Sequence, residues 1–192
     1  VDNDAAESFG LTMGTVERGG ILFSVNGAYS IPSTNMDELV ENGYGVLGTL
    51  MIRDLFYTQT YGFDMGFETG YIEYEGKHDF IKYAKIIPLM IRLTYRYYVT
   101  NYLAIFTSLR GGIQQNTVLA DPDANSDNGI DLESSEKYET MSVFGIGASL
   151  GLGNRLFLNV QVDYGLIFEK NLMHFITASA GVGMRFSLFT RH

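Results

Sequence analysis

The sequence lacks cysteine, contains only three prolines and has few charged residues, which make up 18% of the chain. Without cysteine there is no disulfide framework, no thiolate nucleophile and no cysteine-ligated metal site. Acidic residues outnumber basic ones, 22 to 13, so a general basic surface is absent and no nucleic-acid partner is expected. No run of 18 apolar residues occurs, which excludes a transmembrane helix.

Glycine and aromatic residues are abundant, with 22 Gly, 13 Tyr and 13 Phe. Together with the low charge and low proline content, this composition favours a β protein. No linker divides the chain, and we predict one domain over residues 20–189, with an irregular or short-strand segment at 1–19 and a C-terminal remnant at 190–192. The acidic, polar start does not resemble a signal peptide, so an exported protein would be in its mature form.

The clearest pattern in the chain is the stretch from Phe144 to Tyr164. Two runs of alternating residues meet at Gly153-Asn154, a dipeptide suited to the positive φ angles of a two-residue hairpin turn. One face of both runs is wholly apolar, whereas the other face carries glycine, serine and polar residues. This period of two predicts a β-hairpin with one apolar face, which meets either a protein core or lipid.

The same alternation recurs along the chain and predicts eight strands. They span about residues 20–31, 43–53, 56–72, 80–97, 102–115, 139–153, 154–168 and 173–189. The connections after strands 1, 3, 5 and 7 are polar and mostly long, whereas the others are tight. This asymmetry is typical of outer-membrane barrels. We therefore predict an all-β fold, an eight-stranded antiparallel up-and-down transmembrane β-barrel with short periplasmic turns and longer outer loops, located in the bacterial outer membrane.

Three local features accompany this strand assignment. The break between strands 2 and 3 is predicted at Arg53-Asp54-Leu55, and the longest polar loop at residues 116–137. Pro88 removes one ladder donor from strand 4, so a bulge or a locally unpaired position is expected there.

The two faces of the predicted strands differ in charge. The central positions of the apolar face carry no Asp, Glu, Lys or Arg, and lipid would penalise a charge there by about 2–4 kcal/mol. The opposite face has mainly small residues, which suit a narrow eight-stranded interior. It also carries a set of ionic residues of both signs, which we predict to form a lumen charge network: Arg53, Asp64, Glu68, Arg92, Arg96, Arg110, Asp163 and Arg185.

Two alternatives are weighed against these predictions. A soluble barrel of the lipocalin type would turn the apolar face inward, and it predicts a charged exterior without strict alternation of loop length. The lumen charges, in turn, form either a plug of salt bridges or a polar path for small solutes. Because eight strands leave little room for an open channel, we favour the plug over a narrow pore or transporter.

Two segments resemble a known superfamily. IPLMIRLTYRYYVTNYLAIF is similar to the strand-turn-strand unit, and GVGMRFSLF to the closing strand, of the small bacterial outer-membrane β-barrels, the OmpA-like and OmpX-like proteins. The resemblance covers about residues 20–189. It implies a setting of outer-membrane lipid and lipopolysaccharide, and recognition by the barrel-assembly machinery through a terminal aromatic residue. Phe189 would take that role, although Thr190, Arg191 and His192 follow it.

Catalytic residues are sparse. Enzymes on this scaffold, including lipid A-modifying enzymes, need a polar constellation at the outer rim, and the candidates are His78-Asp79 and His174. Adjacent residues on a strand point to opposite faces, so His78 and Asp79 are not expected to touch. His174 shares the lipid-facing parity of Ile176. No nucleophile accompanies them, and we predict a protein without enzymatic activity.

The polar loop at 116–137 contains the sharpest motif. Carboxylate and amide oxygens alternate near Gly129, as in loops that surround Ca²⁺. The candidate ligands are Asp121, Asp123, Asn125, Asp127 and Asp131, although Asn128 takes the expected glycine position and Ser134 the position of the usual Glu. The alternative is an ordinary solvated acidic loop. In either case, the predicted function is structural, adhesive or partner-binding, with a protein partner contacted through the outer loops.

Overall fold

The computed structural model describes residues 19–33, 36–58, 60–77, 81–120, 135–153, 155–168 and 172–186. These residues form a closed barrel in which each strand pairs antiparallel with its sequence neighbours and β1 pairs with β8. The strands are β1 (Ile21–Ser33), β2 (Val40–Tyr57), β3 (Tyr61–Gly76), β4 (Ile81–Tyr98), β5 (Leu103–Ala120), β6 (Ser135–Leu152), β7 (Leu156–Phe168) and β8 (Met173–Phe186). The predicted eight-stranded up-and-down barrel is confirmed. Among the residues described here, no helix has the length and hydropathy needed to cross a membrane.

The apolar face of the strands points outward. On β4, Leu89 and Ile91 are each 55% exposed, whereas their neighbours Met90 and Arg92 are 4% and 5% exposed. The same alternation follows from the sequence period of two on every strand. A belt of large exposed apolar side chains therefore surrounds the barrel, which a water-soluble protein avoids and a membrane barrel requires. The lipocalin-type alternative, with this face inward, is wrong.

The predicted break at Arg53-Asp54-Leu55 is wrong. β2 continues to Tyr57, with a β-bulge between Ile52 and Phe56, and β3 begins only at Tyr61. Asp54 lies in this bulge and has a positive φ of 53°. Its hydrogen bonds stabilise the bulge. Its backbone N–H donates to Asp64 Oδ1 at 2.9 Å, and its carboxylate accepts a hydrogen bond from the Tyr98 hydroxyl at 2.7 Å. Between the flanking pairs, three residues of β2 lie opposite one residue of β3, and such extra residues bend a strand without ending it.

The strands flanking the longest polar segment are also longer than predicted. β5 and β6 pair as far as Val118 and Ser135, so much of the loop expected at 116–137 is a polar extension of the hairpin. Main-chain pairing needs no apolar side chains, and the hydrophobic alternation therefore underestimates strand length outside the membrane.

The prediction for Pro88 holds. The β3–β4 ladder is unpaired between Thr69–Leu89 and Ile72–Ile86, next to Pro88, and its register is unchanged, so the position is locally unpaired without a bulge.

The hairpin turn between β6 and β7 lies where it was predicted, but it is not a two-residue turn. Leu152 pairs with Leu156, so three residues, 153 to 155, connect the strands. Gly153 has the expected positive φ of +73°, while Asn154 lies outside the described residues.

Candidate functional site

All eight charged residues of the predicted lumen network lie on the interior side of the barrel and are buried. On each strand the apolar residues point outward, and these charged residues lie at the alternate, inward-facing positions. Five of the eight lie on the three consecutive strands β3, β4 and β5. They do not form one cluster. The structure divides them into a ring at mid-height and a second group towards the short-turn end.

The ring centres on Glu68, which is 1% exposed. One carboxylate oxygen accepts a hydrogen bond from Arg92 Nη1 at 2.5 Å, and the other accepts one from Arg110 Nη1 at 2.6 Å. The Thr49 hydroxyl adds a further hydrogen bond at 3.3 Å. Arg110 also forms an ion pair with Asp163. Two carboxylates thus face two guanidinium groups, and the charges balance.

Gln161 completes this arrangement. Its Oε1 accepts a hydrogen bond from Arg92 Nη2 at 2.5 Å, and its Nε2 donates to Asp163 Oδ1 at 2.5 Å. The side chains of Glu68, Arg92, Gln161, Asp163 and Arg110 therefore close on themselves, and we call them the lumen ring. Since they come from β3, β4, β5 and β7, the ring reaches across the interior from one wall to the other.

The second group connects Arg96 to Asp64. Arg96 Nη2 lies 2.8 Å from Asp64 Oδ2, and Arg96 Nη1 donates to the Ser149 hydroxyl at 2.9 Å. Phe106 separates this group from the ring, since its ring centroid lies 5.3 Å from the guanidinium of Arg96 and 5.7 Å from that of Arg92. Aromatic faces attract such cations, so the two layers stack on one another.

The remaining two predicted lumen residues lie at the short-turn end, beyond the lumen ring. Arg53 is buried at the short-turn end, with Nε 4.0 Å from Asp54 Oδ2 and its guanidinium 5.9 Å from the Tyr98 ring centroid. Arg185 is buried on β8, also towards the short-turn end. Neither residue joins the lumen ring.

Little space remains around the ring. The cavity on its outer side, lined in part by Glu68, Arg110 and Asp163, has a volume of about 20 Å³. The cavity on its inner side, lined in part by Arg92, Arg96 and Gln161, has a volume of about 10 Å³. A single water molecule needs about 10–15 Å³ measured in this way. The two cavities therefore have room for about one water each, and the paired side chains of the lumen ring span the space between them.

The outer half of the interior is apolar. Sequence reasoning missed this layer, although the inward parity of Met90 and Ile72 is visible in the alternation. A single cluster fills the space between the ring and the outer connections: Ala28, Met36, Val40, Leu47, Ile72, Tyr74, Ile86, Met90, Met141, Val143, Ile167 and Phe175. This end of the barrel interior therefore resembles the core of a soluble protein more than an aqueous channel.

Gly145 makes room for the ring. It lies on β6, between the strands of Arg110 and Asp163, and a Cβ at this position would overlap Asp163 Oδ1 and approach Arg110 Nη2 and Ser108 Oγ to 2.8 Å. We expect Gly145→Ala to lower the free energy of unfolding in lipid by about 1–3 kcal/mol, as for overpacked interiors. Urea titration of the barrel in lipid vesicles measures this change.

Gly111 is the matched control for that substitution. It lies on β5 and faces outward, and a Cβ there would have no heavy atom within 4 Å. Gly111→Ala should therefore leave stability unchanged or raise it by up to about 1 kcal/mol. Equal effects of the two substitutions would contradict the packing of Arg110 and Asp163 over Gly145.

The predicted catalytic and metal-binding residues contribute no described site. His174 is partly buried on β8, and its Nδ1 lies 2.5 Å from the hydroxyl of Tyr164, an outward-facing residue. His78 and Asp79, the candidate Ca²⁺ ligands Asp121 to Asp131, and Phe189 lie outside the described residues. Within the part of the chain that the structure describes, no group of three or more His, Asp and Glu could hold a metal ion.

The solved structures that this fold resembles include bacterial outer-membrane barrels. Ail, the attachment invasion locus protein of Yersinia pestis, in complex with the heparin analogue sucrose octasulfate, is 16% identical, with a TM-score of 0.58 over 88% of this chain and 100% of Ail. Neisserial surface protein A is 12% identical, with a TM-score of 0.60 over 88% and 99% of the two chains. OprG from Pseudomonas aeruginosa is 12% identical, with a TM-score of 0.56 over 92% and 100%.

No protein-family model and no curated protein matches the sequence. The structural neighbours nevertheless confirm that the chain has the fold of the small outer-membrane barrels that it resembles in sequence. The predicted location in the bacterial outer membrane agrees with these neighbours and with the belt of apolar side chains around the barrel.

Proposed function

We propose that the protein is a non-enzymatic outer-membrane barrel whose lumen is closed and whose outer loops serve a structural, adhesive or partner-binding role. The lumen ring is the observation that carries this proposal. Its two carboxylates and two guanidinium groups are mutually paired across the interior, and cavities of about 20 and 10 Å³ flank it. A barrel without a passage acts through its lipid-facing wall or through its exposed ends.

The closed ring argues against the alternative of a narrow pore or transporter. Passage of a solute would require the separation of several buried charge pairs, and each uncompensated buried charge costs several kcal/mol. The described residues also give little support to a lipid A-modifying enzyme. His174 contacts Tyr164 on the outer wall, and its register partner on β1 is Ser33, at the end of that strand.

The chemistry of the outer connections favours a basic partner or a divalent cation. The segment from residue 116 to 137 carries six acidic residues and one lysine, and residues 32–43 carry three acidic residues and no basic one. Ail binds a polysulfated sugar analogue, which is an anion. The present chain has a formal charge of −9, so an anionic ligand of that kind would be repelled. We propose that its loops instead bind Ca²⁺ or a cationic surface.

Calorimetry can test the loop function. The protein in lipid nanodiscs would be titrated separately with CaCl₂ and with a lysine-rich peptide, beside a variant in which Asp121, Asp123, Asp127 and Asp131 are changed to Asn. We expect one of the cations to bind the wild type, with an affinity that falls as salt is added, and the variant to lose at least tenfold in affinity. Binding of sucrose octasulfate with neither cation bound would contradict the proposal.

A further inference from the structure

A second cavity lies in the outer half of the barrel, above the apolar cluster. Its volume is about 230 Å³, more than ten times that of either cavity beside the lumen ring. Apolar side chains from the first outer connection and from five strands form most of its wall: Met36, Val40, Ile86, Val118, Ile167 and Met173. Met36, Val40, Ile86 and Ile167 are buried, whereas Leu39 and Lys137 in the same wall are exposed, so the cavity opens at the outer end and extends into the interior.

This cavity is closed at its inner end. Val40, Ile86 and Ile167 belong both to its wall and to the apolar cluster, which fills the space down to the lumen ring. A molecule that enters from the outer side therefore meets a floor, first of apolar side chains and then of paired charges. The geometry is that of a binding pocket and not of the mouth of a channel.

One wall of the cavity is polar. Asn116 on β5 and Lys137 on β6 are paired in register, and Glu139 follows Lys137 on the same face. The Asn116 Nδ2 donates a hydrogen bond to the Glu139 carboxylate. Lys137 and Glu139 carry opposite charges, and Lys85, which also lines the cavity, has its ammonium 4.0 Å from the Glu73 carboxylate. The wall can therefore hydrogen-bond a polar group, and its charges are balanced by neighbouring charges of opposite sign.

We propose that the cavity binds a small neutral amphiphile, with an apolar chain against Ile86, Ile167 and Met173 and a hydroxyl or amide group at the polar wall. An apolar cavity of about 150 Å³ binds benzene, so a volume of about 230 Å³ suits a ligand of about nine heavy atoms. A charged head group would have to be desolvated without an unpaired opposing charge, which is costly. A long lipid chain would exceed this volume.

This inference goes beyond the proposed loop function and stands independently of it. Ligand binding in the outer cavity does not require that the loops bind a cation, and it leaves the lumen closed. The loop variant with four Asn substitutions should therefore retain amphiphile binding, and failure of one proposal does not imply failure of the other.

A single cysteine can report on the cavity, because the chain has none of its own. Met173→Cys places a thiol in the cavity wall, and its labelling by a water-soluble methanethiosulfonate reagent can be timed in nanodiscs. We expect saturating 1-octanol to slow this labelling at least tenfold. The factor by which octanoate slows the labelling should be at least ten times smaller than the factor for octanol. A thiol at the exposed neighbour, Leu172→Cys, should be labelled at the same rate with and without octanol.

Filling the cavity should remove the protection. Ala84 lies on β4 in the cavity wall, and Ala84→Phe, or Ala84→Leu if the larger residue does not fold, should reduce the effect of octanol on Met173→Cys to less than twofold. The matched control is Ala178→Phe, which adds the same side chain to the exposed lipid face and should leave protection intact. Absence of protection by octanol in the parent protein, or equal protection after filling, would overturn the proposal.

Discussion

Replacing Glu68 with Gln is expected to destabilise the barrel by about 3–5 kcal/mol, the cost of leaving buried charges without their partner. Glu68 is the only described residue that contacts both Arg92 and Arg110 through ion pairs, so its neutralisation affects two guanidinium groups at once. Arg92 retains its hydrogen bonds to Gln161 and Thr94, and Arg110 retains its ion pair with Asp163. The ring then holds two positive charges and one negative charge. The free energy of unfolding in lipid vesicles, from urea or guanidinium titration, measures the loss.

Glu75→Gln is the matched control for this experiment. It makes the same chemical change on the same strand, but its side chain is exposed. Substitutions at such positions usually change stability by less than about 0.5 kcal/mol. If Glu68→Gln were as mild as Glu75→Gln, the lumen ring would not be a buried charge network.

Replacing Ile91 with Arg is expected to cost about 2–4 kcal/mol, because the side chain lies on the lipid face at mid-height. Ile91 precedes Arg92 of the lumen ring, so the two positions lie at the same depth on opposite sides of one strand. An arginine is therefore stabilised at position 92 by paired carboxylates and penalised at position 91 by hydrocarbon. The change in the free energy of unfolding in vesicles tests this contrast directly.

Tyr138→Arg provides the comparison, because Tyr138 faces outward near the outer end of β6. The cost of an arginine on the lipid face falls to about 0–1 kcal/mol near the membrane boundary. A similar loss of unfolding free energy for Ile91→Arg and Tyr138→Arg would contradict the assignment of the outer face to lipid. Solubility of either variant without detergent would contradict it as well.

Most of the fold follows from the period of two in the sequence. Once Leu150 and Leu158 are assigned to one face of their hairpin, Ser149 and Asn159 are fixed on the other, and the structure has them so. The eight predicted lumen charges follow from the same parity, whereas Asp54, a ninth buried charge, does not. The alternation predicts the inward-facing residues correctly because one side of each strand meets hydrocarbon. A shift of the strand register by one residue would move every lumen charge into lipid.

Three features could not be predicted from the sequence: the place of Gln161 in the lumen ring, the bulge at Asp54 and the apolar outer interior. The first two depend on contacts between residues that are far apart in the chain. Gln161 has the correct parity, but nothing in its neighbourhood indicates that it joins Arg92, which is 69 positions away. The bulge at Asp54 depends on Tyr98, 44 positions away, and could not be distinguished from a turn by local sequence. The apolar outer interior was missed because methionine, isoleucine and valine suit either face of a strand.

The most direct test of the account is the conductance of the purified protein in a planar lipid bilayer. Because paired charges span the lumen and the adjoining cavities hold about one water each, we predict no steady channel openings from the wild-type barrel. Insertion would be verified in the same preparation by heat-modifiable migration on a denaturing gel. Steady openings that disappear on substitution of Arg92 or Arg110 would show a conducting lumen and would contradict the closed ring.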